Sequence, residues 1–368
     1  MRFAVCLILL CAFAAGVYAQ DKINPDRPAR GSWDFDLKKV WEIDSVGEQS
    51  LAKPAELRVA GNGAFYFHDF DRHVSYACDA QGKLIRSFAE RGQGEGQVSH
   101  YMNCLAGDDR IVILSPDKLY YYTGDGEYVR SVPNNIFQSF PLLYLGGETF
   151  LFGPGALTDA RGGEASIIRR DTAKGETAEM ARLSVSDEES QGPPGAMVLG
   201  LTPQVSVAHD PDSGVFYYGK NSEYKIHAVN DKGKALKVFG LERARVAVTE
   251  DSKRAHFTKL KIPTDRVEKL IKTLPNQATY YYRIEAHRGL VYVFPVGGFG
   301  EKLTRQSVDI FSSAGEYLYR GDILFESGKH LHGSPDNLRF QDECLYVILE
   351  DDAGRKTIAK YTITLPGE

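Results

Sequence analysis

RSFAERGQGEGQVSH, residues 86–100, places glycines at Gly92, Gly94 and Gly96. A loop of this kind either cradles a phosphate or lets the chain turn a corner. A phosphate loop follows a buried strand and opens a helix. Here the next residues run through Cys104 and Leu105 into RIVIL at 110–114, a run with strand composition. The residues before the loop are strand-like too. AELRVAG, AFYFHDF, HVSYACD, a DAQGK turn and LIRSFAE fill positions 55–90 in order. The glycines therefore mark a corner between one set of short strands and the next.

The same set recurs. PQVSVAHD, GVFYYGK, YKIHAVN, the turn NDKGK and ALKVFG occupy 203–240. Looser copies lie at 110–132, 142–183 and 290–322. Each has a glycine in its last hairpin, where positive φ is needed: Gly82, Gly126, Gly175, Gly233 and Gly315. The first three are 44 and 49 residues apart, the period of a four-stranded blade repeated about an axis. A sixth set has only NLRFQ, CLYVILED and TIAKYTITL, so its outer strand is missing. LKKVWEI at 37–43 is a spare strand. Supplying it closes the ring, which otherwise ends in unpaired backbone groups. The expected fold is thus all-β, a six-bladed β-propeller closed by an N-terminal strand through Val40, Trp41 and Ile43. The longer intervals imply two insertions. One is a loop at 186–196. The other is a short helix near 264–274, with Val267, Leu270, Ile271 and Leu274 at helical spacing and Asp265 with Glu268 as a capping pair.

Asp79, Gly82, Lys83, Ser87, Phe88, Gly92, Gly94 and Gly96 together resemble the NHL-type repeat of six-bladed β-propellers in the TolB-like superfamily. Ala89 stands where that repeat usually has glycine, and Val98 where it usually has an aromatic. The resemblance implies a fold shared by binding scaffolds and by several enzyme types.

The ends and the composition bound the rest. Arg2 precedes an apolar run to about Val17, and Val17-Tyr18-Ala19 offers small residues at the two positions a signal peptidase reads. This predicts a signal peptide at 1–19, and hence a secreted or periplasmic chain. Residues 20–32 (QDKINPDRPARGS) read as a flexible lead-in, and 33–368 as a single propeller domain. The net charge of −5 argues against general nucleic-acid binding. Of five cysteines, Cys78, Cys104 and Cys344 lie outside the leader, so at most one internal disulfide can form.

Propeller ligands sit at the end of the central channel, so the candidate site residues are those on the loops expected there. They are His68, Asp69, Asp71, Arg72 and His73 in the first blade, and Arg91, His100 and Tyr101 in the crossing to the second. Lys220, Asn221 and Glu223 follow in the fourth blade, and His330 and His332 in the crossing to the sixth, with Asp336 near them. Glu56, Gln204 and His209 are polar candidates on inner strands. No nucleophile elbow of the G-x-S-x-G type occurs. Two readings stay open. One is an exported binding protein that takes a protein, peptide or glycan on one face and needs no cofactor. The other is a channel-centred, metal-dependent hydrolase, lactonase or lyase, in which calcium would enter. Whether the chain is an enzyme is not decided by its sequence, and no metal ligand set can be named.

Overall fold

The computed structural model describes residues 21–107, 109–134, 140–160, 163–190, 198–258, 264–297, 299 and 302–367. Six antiparallel meanders follow one another in the chain. Blade 1 comprises Pro54–Val59, Phe65–Asp69, Val74–Cys78 and Leu84–Phe88. Blade 2 starts at Asn103–Ala106 and ends at Tyr128–Pro133, blade 3 runs from Phe140–Gly146 to Thr177–Ser184, and blade 4 from Val205–Asp210 to Ala235–Glu242. Blade 5 runs from Tyr281–His287 to Tyr317–Leu324. Blade 6 has Leu338–Gln341, Cys344–Asp351 and Lys356–Thr362, with Lys38–Ile43 as its outer strand. The chain is a six-bladed β-propeller.

Second strands are buried on both faces, because each blade is sandwiched between two others. Phe65–Asp69 and Leu290–Pro295 are buried throughout, whereas the outer strand Leu84–Phe88 is mostly exposed. Side-chain alternation then assigns each residue a neighbour. In blade 5, Leu290, Tyr292 and Phe294 pack towards Leu345, Val347 and Leu349 of blade 6. The intervening Val291 and Val293 pack towards Tyr217, Ile226 and Phe239 of blade 4.

Closure follows the expected route. Lys38–Ile43 pairs with the third strand of blade 6, Ile43 opposite Ile358 and Lys38 opposite Thr362. Trp41 stacks on Phe65 of blade 1, ring centroids 5.4 Å apart, and its Nε1 donates to Ala80 O at 3.0 Å. Val40 does not share this burial. It is 51% exposed, because adjacent strand residues point to opposite faces and Trp41 takes the inner one.

The lead-in differs from expectation. Residues 21–32 are not a loose tail. Lys22–Pro25 runs parallel to Phe239–Glu242 on the outer edge of blade 4, and Ser32–Trp33 parallel to Arg320–Gly321 on blade 5. Asn24 is buried there. Its Nδ2 donates to Gly240 O (3.1 Å) and Gly315 O (3.0 Å), and its Oδ1 accepts from Tyr317 N (3.3 Å). Asp26 binds Arg243 (2.6 Å) and Arg320 (2.5 Å), and both arginines also reach the fully buried Asp309. A polar segment is held because it satisfies open strand edges and half-buried arginines, not because it buries apolar surface. The signal peptide expected at 1–19 lies outside the described residues.

The insertion between blades 4 and 5 holds two helices where one was expected, Glu250–Thr258 and Thr264–Thr273. Val267, Ile271 and Leu274 pack with Val248, Phe257, Val296 and Phe299. Glu268 pairs with Arg254 (2.9 Å) and ties the helices together, a use that the capping pattern did not suggest. The loop expected at 186–196 opens with the short helix Asp187–Ser190, and 191–196 lies outside the described residues. Cys78, Cys104 and Cys344 are all free thiols, and burial pushes the first two up to about 12.

The glycine loop turns a corner. Val98 N donates to Glu90 O and Gly94 N to Gln97 Oε1, both at 2.9 Å. Gly96 has φ +68°, and a Cβ there would meet Tyr128 Cβ at 2.9 Å, so this position requires glycine. The loop delivers the chain to the inner strand Asn103–Ala106, not to a helix. Ala89, where the resembling repeat has glycine, is buried at φ +50°.

Candidate functional site

Crossings between blades and turns between second and third strands emerge at one end of the ring, called here the top. The innermost strands enter the channel from that end. Three of them carry an arginine: Arg283 in blade 5 near the top end of its strand, opposite Phe294, and Arg58 in blade 1 and Arg339 in blade 6 farther down the channel, opposite Tyr66 and Tyr346. The backbone is irregular there. Register shifts fall between Ala55 and Arg58 and between Tyr281 and Arg283, and Glu56 has φ +58°. Bulges re-aim side chains, and a non-glycine residue in the left-handed region is strained.

Arg58 is fully engaged. Its Nε donates to Cys104 O (2.7 Å) and its Nη1 to Leu57 O (2.9 Å), while Nη2 donates to Glu56 Oε2 (2.8 Å) and Asn103 Oδ1 (3.0 Å). Arg339 is held more loosely. Its Nη1 donates to Leu338 O (3.1 Å) and stands 3.7 Å from Glu285 Oε1, and its Nη2 lies 3.4 Å from Asp336 Oδ1. Arg283 lies over the Phe294 ring at 4.1 Å and donates through Nη1 to Pro335 O. Its Nη2 is 3.0 Å from Glu285 Oε1, at an angle that makes an ion pair and not a hydrogen bond. Its buried Nε N–H meets no acceptor among the described residues.

Three guanidiniums and three carboxylates thus share one throat. Protein surrounds them, yet Asp336 keeps 42% of its side-chain surface and Glu56 keeps 23%. Side chains this deep owe that exposure to the channel lumen. Their carboxyls are shifted in opposite directions. Burial, reinforced by the charge of Asp336, raises the Glu56 carboxyl above its ordinary value despite Arg58. Burial would also raise Asp336, but Arg339, Arg58 and Arg283 together outweigh it and hold that carboxyl low. Arg339 is brought down to about 9 by burial and by repulsion from Arg283 and Arg58. Arg283 is lowered mainly by burial. These are the effects of a low-dielectric pocket with crowded charge.

The residues singled out from sequence divide into groups. Asp69 is fully buried and accepts from the backbone N–H groups of Ala52, Lys53, Asp71 and Arg72, so it ties the turn of blade 1 to the crossing from blade 6. Arg72 donates to Ser50 O (2.9 Å), and Asp71 is exposed. His68 is buried, hydrogen-bonds Ser75 Oγ (3.0 Å) through Nδ1 and stacks on Tyr101 at 3.7 Å. Burial lowers it to about 4. Tyr101 joins the channel group. The charges of Glu56 and Arg58 act on it, and its buried hydroxyl has no partner among the described residues. Arg91 and His100 are exposed on the glycine loop, and their side chains form no hydrogen bond or ion pair among the described residues. Lys220 binds Glu189 and Glu223, and Asn221 is buried. His332 is paired with Glu350 (2.7 Å), and His209 stacks on Phe216. Among the described residues no three His, Cys, Asp or Glu side chains gather closely enough to hold a metal ion.

Of the sequence candidates, Glu56, Tyr101 and Asp336 come together in the throat. Arg58, Arg283, Glu285 and Arg339 were not singled out. The signal for them was present: Leu57-Arg58-Val59, Tyr282-Arg283-Ile284 and Leu338-Arg339-Phe340 repeat an arginine between large apolar residues on three inner strands.

No family model matches the chain, and no curated protein matches it. Solved structures share its fold. A member of the DUF4221 family from Bacteroides vulgatus ATCC 8482 is similar over 90% of this chain and 99% of its own, with 11% identity and a TM-score of 0.55. A candidate exported protein of Bacteroides fragilis NCTC 9343 is similar over 94% of this chain and 99% of its own, at 11% identity and a TM-score of 0.57. A catalytically inactive virginiamycin B lyase from Staphylococcus aureus with quinupristin aligns over 90% and 100%, at 13% identity and a TM-score of 0.44. At 11% identity the likeness to the two Bacteroides proteins is one of fold. No helix among the described residues is long and apolar enough to cross a membrane.

Proposed function

We propose that this is an exported binding propeller of the NHL-like kind, which takes a protein, peptide or glycan ligand at the top face and channel mouth. The observation that carries the reading is the throat. Charged side chains from blades 5, 6 and 1 converge there, enclosed by protein and open to the lumen, on inner strands bent to aim them. Rigid scaffolds place binding groups in this way. Arg91 and His100 lie on the same face and are free to meet a ligand at the rim. The leader at 1–19 supports export.

The test is a screen of the purified chain on peptide and glycan arrays. Substituting Arg91→Ala with His100→Ala should weaken any hit, and Asp125→Ala with Lys234→Ala, in hairpins at the opposite end, should not. The reverse pattern would place binding on the other face.

A second reading has one observation in its favour. Glu56 and Asp336 share the throat, yet their environments push their protonation in opposite directions, as in acid–base pairs. Under it the chain is a channel-centred hydrolase or lyase. Ester and lactone assays with and without a calcium chelator test it. Chelator-sensitive turnover would also require calcium at the site.

A further inference from the structure

We propose that the throat is a seat for a ligand carboxylate, gripped by Arg283 and Arg339. The assignment rests on the binding reading above and names the group that enters first. Arg58 has an acceptor on every nitrogen and is a positioning residue. The other two are under-used. Charge-assisted N–H···O bonds settle at about 2.7–2.9 Å, and Arg339 meets its carboxylates only at 3.4 and 3.7 Å. Arg283 is 8% exposed, and its Nε N–H has no acceptor among the described residues. Its Nε–Nη2 edge is the two-pronged face with which arginine holds a planar carboxylate. Buried polar atoms without partners call for an explanation, and several of those among the described residues lie here. Besides Arg283 Nε, they include Tyr101 Oη just before the inner strand of blade 2 and Asn337 Oδ1 just before that of blade 6.

Glu285 stands between the two arginines and competes for them, 3.0 Å from Arg283 Nη2 and 3.7 Å from Arg339 Nη1. A ligand carboxylate takes the Nε–Nη2 edge of Arg283 and the lumen side of Arg339, and Glu285 yields. The lowered basicity of both arginines, due first to burial and then to neighbouring guanidiniums, agrees with this, since an added negative charge offsets both effects.

The probes are N-acetyl-L-alanine and D-glucuronate, each against its amide, with inorganic phosphate as a further arm, read by calorimetry and thermal shift. The acids should bind saturably and the amides should not. The acid that binds more tightly identifies the source, a peptide terminus or an acidic sugar. Arg339→Gln should weaken acid binding by at least tenfold. Arg339→Lys, which keeps the charge and loses the fork, should weaken it several-fold while the protein stays folded. Glu285→Gln removes the competitor and should tighten acid binding, an effect that a merely structural role would not produce. Equal binding of acids and amides, tighter binding of phosphate, no binding of either acid, or loss of acid binding in Glu285→Gln would overturn the assignment. A neutral array ligand lost in the Arg91/His100 variant, together with no acid binding, would overturn the carboxylate seat and leave the top-face reading standing.

Discussion

Trp41→Ala tests ring closure by a strand that lies at the other end of the chain from its partners. Trp41 is half-buried between blade 6 and blade 1, stacked on Phe65, edge-on to Tyr346 at 6.0 Å and bonded to Ala80 O. Truncating a fully buried Trp costs about 3–5 kcal/mol, so half burial scales this to about 2. The lost hydrogen bond adds about 1 kcal/mol. The expected loss is therefore about 3 kcal/mol, a large share of the roughly 5–15 kcal/mol that holds an ordinary domain. With an unfolding entropy of about 2.1 cal/mol/K per residue over the whole ring, this lowers Tm by about 4 °C. Val40→Ala, on the opposite face of the same strand, should change stability by less than about 0.5 kcal/mol. Urea unfolding of the three proteins, followed by fluorescence and circular dichroism, measures both. Equal midpoints for Trp41→Ala and Val40→Ala would refute closure through Trp41.

Asn24→Ala removes three buried hydrogen bonds, and should cost about 2–3 kcal/mol in urea unfolding. Deleting 20–32 should then cost at least as much, and deleting 20–44 more still. Asp309→Asn leaves Arg243 and Arg320 without their buried counter-charge and should lose about 3 kcal/mol, read by the same assay. His68 is held near 4, below its usual 6.5, by burial and the nearby His73 against the opposing charge of Asp69. The unfolded chain binds the proton first as pH falls, so the stability His68 supplies is full above pH 6.5 and is lost down to pH 4. Its size is on the order of 3 kcal/mol, and His209, His227 and His332, also lowered by burial, act in the same direction. Denaturation midpoints measured between pH 7 and pH 4 should fall accordingly, and less steeply in His68→Gln. Ala89→Gly relieves a left-handed alanine and should leave thermal stability unchanged or raise it by up to about 1 kcal/mol.

By itself the sequence determined the propeller, its six blades and the closing strand. These depend on local signals: strand runs of five to eight residues, a glycine wherever a last hairpin needs positive φ, and a strand count one short of complete at the C-terminus. All five of those glycines have positive φ in the structure. Only the tertiary structure decided what the polar residues do. Lys22-Ile23-Asn24-Pro25 carries no apolar period, so nothing local shows that its backbone and Asn24 complete the edge of blade 4. Asp69 stood among the candidate site residues and is instead a buried acceptor for four backbone N–H groups. Arg58, Arg283 and Arg339 are separated by long stretches of chain, and the channel that joins them exists only once blades 5, 6 and 1 stand side by side. Backbone periodicity is written between neighbours in sequence, whereas the meeting of charges in a throat is set by the closing of the ring.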